Sequence, residues 1–316
     1  MDFNRIAVYG HRGWASSAIV QALIASGAPI RVLHRPGSDV SMLPSAPNVT
    51  TLAVDLENQS ALVSALEGID IAICLVGQTG VPLQHAFVKA IPQAKGVKLF
   101  VPSDLAWRHT PQGLRVRVNK VKDEVERAAR DAGIPTTVVL PGGFAESFLA
   151  AGLLGVDIAG NRIVQTCDSA RCQANLCARE YVAAAYASLF ARTPVARLAN
   201  RDIGLSEVRA TGEEIRAALE KRHGGVPPQV IVNDLERVDR EIGTRIAMGP
   251  PEPLALTYHC RKAWGTSQLV EGVGKDVWEV EGYQEATLEE LIVQGKLGAY
   301  REIPPEKMKV IDSSFS

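Results

Sequence analysis

Seven residues near the start of the chain, Gly10-His11-Arg12-Gly13-Trp14-Ala15-Ser16, have the types and spacing of a loop that cradles a pyrophosphate. Glycine at 10 permits a tight turn out of a strand. Glycine at 13 lets the backbone approach an anion at a helix start, where free N–H groups and the dipole favour negative charge. The third small position is Ser16, where glycine or alanine is usual. The next strand ends in His34-Arg35-Pro36. A ribose 2′-hydroxyl calls for Asp or Glu at that point; Arg35 instead offers a bidentate contact to a 2′-phosphate, and Arg12 can reach the same group from the loop. These residues predict a site for NADP(H) over NAD(H). Further on, a nearly all-apolar run leads into Leu75-Val76-Gly77-Gln78, where Gly77 allows close approach of a cofactor at the edge of the sheet.

Other reactive residue types fall into no constellation. Ser103 and His109 lack a G-x-S-x-G context and an acid to orient the base. Asp55 either hydrogen-bonds near the adenine or caps the next helix. The five cysteines (Cys74, Cys167, Cys172, Cys177, Cys260) contain no C-x-x-C pair, and three of them step by five, which rotates around a helix instead of stacking on one face. No metal site is expected. Taken on the residues alone, Lys122 is one cation at i, i+4 to Glu126 on a charged helix face shared with Arg115, Arg117, Lys120, Asp123 and Glu124.

The elements that must position these residues alternate. Arg5 to Tyr9, Ile30 to Leu33, Thr51 to Val54, Ile69 to Leu75, Val97 to Val101 and Thr136 to Leu140 read as strands. Trp14 to Ile24, Ser60 to Leu66, Pro82 to Ala94 and Arg115 to Ala132 read as the helices between them. Strands and helices in this order predict an α/β fold: a Rossmann-type, doubly wound parallel sheet with right-handed crossovers. After Pro141 the alternation weakens. Helical patterns appear at Arg179 to Phe190, Ser206 to Lys221, Val232 to Ile242 and Leu288 to Gln294, with extended pieces at Arg162 to Thr166 and Gln229 to Val232. This predicts a nucleotide-binding domain over residues 1–150 and a smaller, mostly helical cap over 151–316, packed as one body, with some segments returning to the sheet.

Composition agrees with a globular enzyme: 316 residues, 46% hydrophobic and 22% charged. A formal net charge of −1 supplies no field for nucleic acid or anionic lipid. No apolar run reaches the roughly 18–20 residues that a membrane span needs, and the polar Met1 to Asn4 start does not resemble a signal peptide. An odd number of cysteines suits a reducing compartment. The expectation is a cytoplasmic monomer or homodimer acting on a small molecule.

At Gly10 to Ser16, Arg35 and the run from Ile69 to Asp104, the chain resembles the NmrA-like, isoflavone reductase-like branch of atypical short-chain dehydrogenases, with the look of a fungal member. IDIAICLVG, Gln84 and VKLFVPSDLAW are similar to that family's strand–helix–strand ending in a P-S-E-F-G motif. VKDEVERAARDAGIPTTVVLPGGFAESFL is similar to its lysine-bearing helix, G-I-P-x-T strand and substrate-side turn, and TLEELIVQGKLGAY to its C-terminal segment. The resemblance implies Lys122 as the catalytic lysine, with Lys120 as the neighbouring alternative. Such a lysine contacts ribose hydroxyls and polarises or protonates the substrate, acting as an acid–base group where burial lowers its pKa. It further implies Pro102, Ser103, Gly142 and Phe144 on the cofactor side, together with Trp14, Val76 and Gln78. Asp104, Trp107, His109, Gly143 and Phe148 fall on the substrate side, with Phe144 and Phe148 forming either an apolar wall or core. The chain departs from the pattern in Asp104-Leu105-Ala106 for E-F-G, and no Tyr-x-x-x-Lys pair exists because Val118 stands four before Lys122.

Three functions follow from these readings. The leading one is an NADPH-dependent reductase that passes hydride to a small aromatic or conjugated secondary metabolite. The others are an NmrA-like regulator that senses NADP(H) without turnover, and an enzyme that isomerises or cyclises a natural product on the same fold.

Overall fold

The computed structural model describes residues 2–249 and 253–315. Its first half runs β1 (Ile6–Tyr9), α1 (Trp14–Ala25), β2 (Ile30–His34), β3 (Val49–Ala53), α2 (Gln59–Leu66) and β4 (Ile71–Cys74). It continues with α3 (Gln84–Ala90), β5 (Leu99–Val101), α4 (Arg117–Asp131) and β6 (Thr137–Leu140). Strands β1 and β4 are apolar at every position, and their side chains alternate between two buried layers. Ile6, Val8, Ile71 and Ile73 pack with α1 on one face; Ala7, Tyr9, Ala72 and Cys74 pack with α2, α3 and α4 on the other. Strands buried on both faces must lie centrally and carry helices on each side. The sheet is parallel in the order β3-β2-β1-β4-β5, with Ile6 opposite both Ile30 and Ile71, and a Phe100–Thr136 bridge adds β6 beside β5. This is the Rossmann-type doubly wound arrangement. Its order reverses between β1 and β4, so the loops after these two strands flank one crevice.

The rest of the chain contains β7 (Gly143–Phe144), β8 (Val156–Asp157), β9 (Arg162–Thr166), β10 (Gln173–Cys177), α5 (Arg179–Phe190), β11 (Arg201–Gly204) and β12 (Val208–Thr211). After them come α6 (Gly212–Arg222), β13 (Gln229–Asn233), α7 (Leu235–Met248), α8 (Pro253–Gly265), α9 (Gln268–Glu271) and α10 (Pro305–Asp312). The return to the sheet is large. β11 pairs in parallel with β6, and α5 packs along α1 through Tyr181, Val182, Ala185, Tyr186 and Leu189, so the nucleotide-binding layer is not confined to residues 1–150. The other elements form a second body with two small sheets, β12-β10-β7 and β13-β9-β8, around a core that includes Trp107, Phe148 and Trp264.

Two expected helices start later than their apolar periodicity indicates. Val208–Thr211 is a strand alternating buried and exposed, and the helix starts at Gly212 because Thr211 and Glu214 form a capping box, each accepting the other's backbone N–H. Similarly, β13 runs to Asn233, and Asp234 accepts the Arg237 N–H to start α7. The expected helix over Pro82 to Ala94 is α only from Gln84 to Ala90 and has a 3₁₀ turn at each end. β10, β11, α8 and α10 were not evident from periodicity.

Candidate functional site

The loop after β1 and the loop after β4 enclose a groove of about 300 Å³, lined by Gly10, Arg12, Gly13, Arg35, Val76 and Gly77 among others. Gly10 is obligatory. Its φ is +100°, and a Cβ there would lie 2.3 Å from the Leu75 carbonyl oxygen. Ser16 acts structurally, since it is buried beneath the loop and its Oγ accepts the Gly13 N–H at 2.8 Å, pinning the turn that starts α1. Gly77 has ordinary φ, and nothing in the protein lies within 4 Å of where its Cβ would point. The open space in front of it is the groove itself. Arg12 and Arg35, both exposed, flank one end together with Ser38. A tight glycine turn, a helix N-terminus and two arginines fit a dinucleotide that carries a 2′-phosphate. Ser38 and Thr79 join this lining without having been expected there. Gln78, expected to line it, is not among the enclosing residues, although Thr79, Gly80 and Leu83 of the same 3₁₀ helix are. Trp14 turns away from the groove. Its indole donates to the Ala299 carbonyl and packs edge-on against Phe144 and Tyr300.

The Pro102–Ser103 turn lies outside that lining and meets it at Val76. The Ser103 hydroxyl donates to the Val76 carbonyl, and its N–H donates to Oε1 of the buried Gln84. Lys122 comes next. Its side chain is 17% exposed, and its Nζ bonds the Asp104 carbonyl and lies 3.2 Å from Asp104 Oδ1. Lys120, by contrast, projects into solvent and pairs with Glu124. The solvated-face reading of this helix holds for Lys120 and fails for Glu126. That residue is 1% exposed and pairs not with Lys122 but with Arg108, at 2.7 Å, and with Arg130, at 3.5 Å; Arg108 in turn grips Asp202 through its other two nitrogens, Nε and Nη2. Burial and the neighbouring Asp104 push the Glu126 carboxyl up to about 8. Burial works the same way on Asp104, but the Lys122 ammonium and a hydrogen bond from Glu126 outweigh it and hold that carboxyl below its usual range. Asn119, Lys122, Glu126 and Ala129 recur at helical spacing, which is the sequence signal that could have identified this inward stripe.

The Gly142-Gly143-Phe144 turn meets this network from the second body: the Gly142 N–H donates to the Ala106 carbonyl. Gly142 has φ +72°, and a Cβ there would strike Asn175; one at Gly143 would fall 2.2 Å from the Phe148 ring. Phe148 and Gly143 therefore pack on each other. The wall reading fails for Phe148, which is a core residue 4% exposed against Trp107, while Phe144 sits against Trp14. Trp107 is also buried, stacked on His259, and its indole N–H has no partner among the described residues. His259 approaches His109 at 3.3 Å. Burial, reinforced at His109 by His259 and at His259 by Lys262, pushes the two imidazoles down to about 3 and 4, so both are neutral at pH 7. His259 carried no sequence signal because it lies on a helix that periodicity did not reveal.

The profile of the NmrA-like family matches residues 3–247. The chain is similar to an isoflavone reductase homolog of Zea mays, 31% identical over 152 residues that cover 45% of this chain and 49% of that protein. It is also similar to isoflavone reductase of Pisum sativum, 26% identical over 303 residues, 89% of this chain and 94% of that one. Several of the relatives are thus matched over only about half their length. Among solved structures, leucoanthocyanidin reductase with NADPH from Vitis vinifera superposes with a TM-score of 0.72 at 18% identity, covering 92% of this chain and 98% of the other. AtPrR2 with NADP+ and (+)-pinoresinol superposes at 0.77 and 19% identity, covering 93% and 99%. At such identities these likenesses establish the fold.

Proposed function

The chain belongs to the NmrA-like family, and on that premise we propose that it is an NADPH-dependent reductase acting on a small aromatic or conjugated metabolite. The observation that carries this reading is Lys122, drawn out of solvent and fixed by Asp104, next to Ser103, which bonds the groove-lining Val76. The relatives named as isoflavone reductases and the neighbour solved with (+)-pinoresinol support the substrate class. Five free thiols among the described residues support a reducing compartment such as the cytoplasm; no helix there is long and apolar enough to cross a membrane.

Arg12, Arg35 and Ser38 would hold the 2′-phosphate, and the first turn of α1 the pyrophosphate. When bound, NADPH supplies the hydride. The chain's own contribution is position and charge. An ammonium has three donors; one goes to the Asp104 carbonyl, the ion pair with the Asp104 carboxylate holds the head in place, and a remaining N–H is free for a ligand. That N–H stabilises the oxygen on which negative charge grows as the substrate is reduced, and can deliver a proton to it. Gln84 and Ser103 keep the groove wall in register with this lysine.

A second reading is favoured by a specific feature: the Lys122 ammonium is already paired with Asp104. A protein so built can register NADP(H) without turning it over. Following NADPH absorbance against a panel of conjugated aromatic ketones and enones separates the two. Substrate-dependent oxidation that Lys122→Ala abolishes supports the reductase; tight binding with no oxidation across the panel moves the reading to the sensor.

A further inference from the structure

A larger cavity of about 440 Å³ lies between the start of α5 and the segment 283–299, where Arg179 lies over the Trp14 ring and the Ala299 carbonyl accepts its indole N–H. Its charged lining is lopsided: Glu146, Glu180, Glu207, Glu285 and Glu290 against Arg179 and Lys296. Lys296 is engaged and Arg179 only in part, since its Nε is buried without a partner among the described residues. Lys296 holds Glu290 at 2.9 Å. Arg179 approaches Glu180 at 3.6 Å, donates to Ser17 Oγ and lies over the Trp14 ring. Glu207 spends both its oxygens on backbone N–H groups, those of Ala178 and Ala286. Glu146 differs. It is 4% exposed, its Oε1 accepts the Arg179 N–H at 2.9 Å, and its Oε2 is buried with no partner among the described residues.

We propose that this cavity is a second small-molecule site, taking a ligand with a protonated amine on an aromatic body, and that Glu146 receives the ammonium. A buried carboxylate oxygen without a donor is costly. Burial raises the affinity of Glu146 for a proton, and nearby Glu207 adds to that, while the Arg179 N–H and guanidinium offset part of it. An ammonium provides both the missing donor and the counter-charge; a neutral hydroxyl would provide only the first, and an anion is repelled by the whole rim. The apolar body fits the remaining walls, which include Tyr283, Ala286, Leu291 and Ala299. Nothing in this assignment depends on the cofactor reading, and its test is run without NADPH.

The experiment is calorimetric titration of the full chain with three probes of one shape: 2-phenylethylamine, 2-phenylethanol and 3-phenylpropanoate. The amine should bind at least about tenfold more tightly than the alcohol, the carboxylate not at all, and Glu146→Gln should weaken the amine by at least about tenfold. Gly298→Leu is a second variant that leaves the charge intact. A Cβ at Gly298 meets Glu146 Oε1 at 3.4 Å, so a leucine there fills the cavity and should block the amine as well. A melting transition matching wild type certifies the fold of each variant. An amine no tighter than the alcohol, no binding by any probe, or amine affinity retained in Gly298→Leu overturns the assignment.

Discussion

Arg35 and Lys122 each make a separable prediction. Arg35→Asp removes the bidentate partner of a 2′-phosphate and sets a carboxylate in its place. A charge-assisted contact of this kind contributes about 1.5–3 kcal/mol, so NADPH affinity should fall by roughly 10–100-fold while NADH affinity rises. An unchanged ratio would remove Arg35 from the site. Lys122→Ala should keep NADPH affinity within a few-fold and lose roughly 100-fold or more in turnover, with Lys120→Ala at wild-type rate. Retained turnover in Lys122→Ala would end its catalytic assignment. At this scale the sequence was most legible where backbone geometry admits one residue type. Gly10 could be assigned from its place in the loop, because its positive φ and the 2.3 Å approach to Leu75 tolerate nothing larger. Glu126 could not, because a glutamate between Val125 and Arg127 looks like any exposed helix charge until Arg108 arrives from a distant loop.

The β1–α1 and α4 elements are where local geometry becomes function. Gly10→Ala places a methyl against the Leu75 carbonyl and strains the turn, so it should cost at least about 2 kcal/mol by urea unfolding and abolish cofactor binding. A variant with unaltered stability would mean that the turn relaxes freely. In α4, Glu126 holds a proton in the folded state that the unfolded chain releases between about 4.5 and about 8. The folded state therefore binds more protons across that window, and stability falls as pH rises through it. His109 and His259 act in the opposite sense: lowered from 6.5 to about 3 and 4, they contribute fully above about 6.5 and are lost on acidification. Between about pH 6.5 and 8 Glu126 is thus the one of the three that titrates. Glu126→Gln should flatten the decline there, by at most about 1.4 kcal/mol per pH unit, the limit for one proton. Parallel wild-type and variant slopes would show that Arg108 keeps this carboxylate ionised. Element types were legible wherever the period was unbroken, as in α5, and failed where a short strand ran straight into a capped helix, at Thr211 and Asp234.

For the whole molecule, one sheet layer built from β1 to β6 and completed by α5 and β11 presents the groove, and the second body brings up the 142–144 turn. The parallel sheet was readable because its central strands are apolar throughout. The way the second body meets it was not, since that depends on contacts far apart in sequence such as Trp14 with Ala299 and Asn175 with Pro141. Every function proposed for the groove requires it to hold a dinucleotide with a 2′-phosphate, and calorimetric titration of the purified chain with NADPH and with NADH tests that most directly. The prediction is NADPH binding tighter by at least about tenfold, with the preference reversed in Arg35→Asp. Equal affinity for the two, or no binding of either, would contradict it.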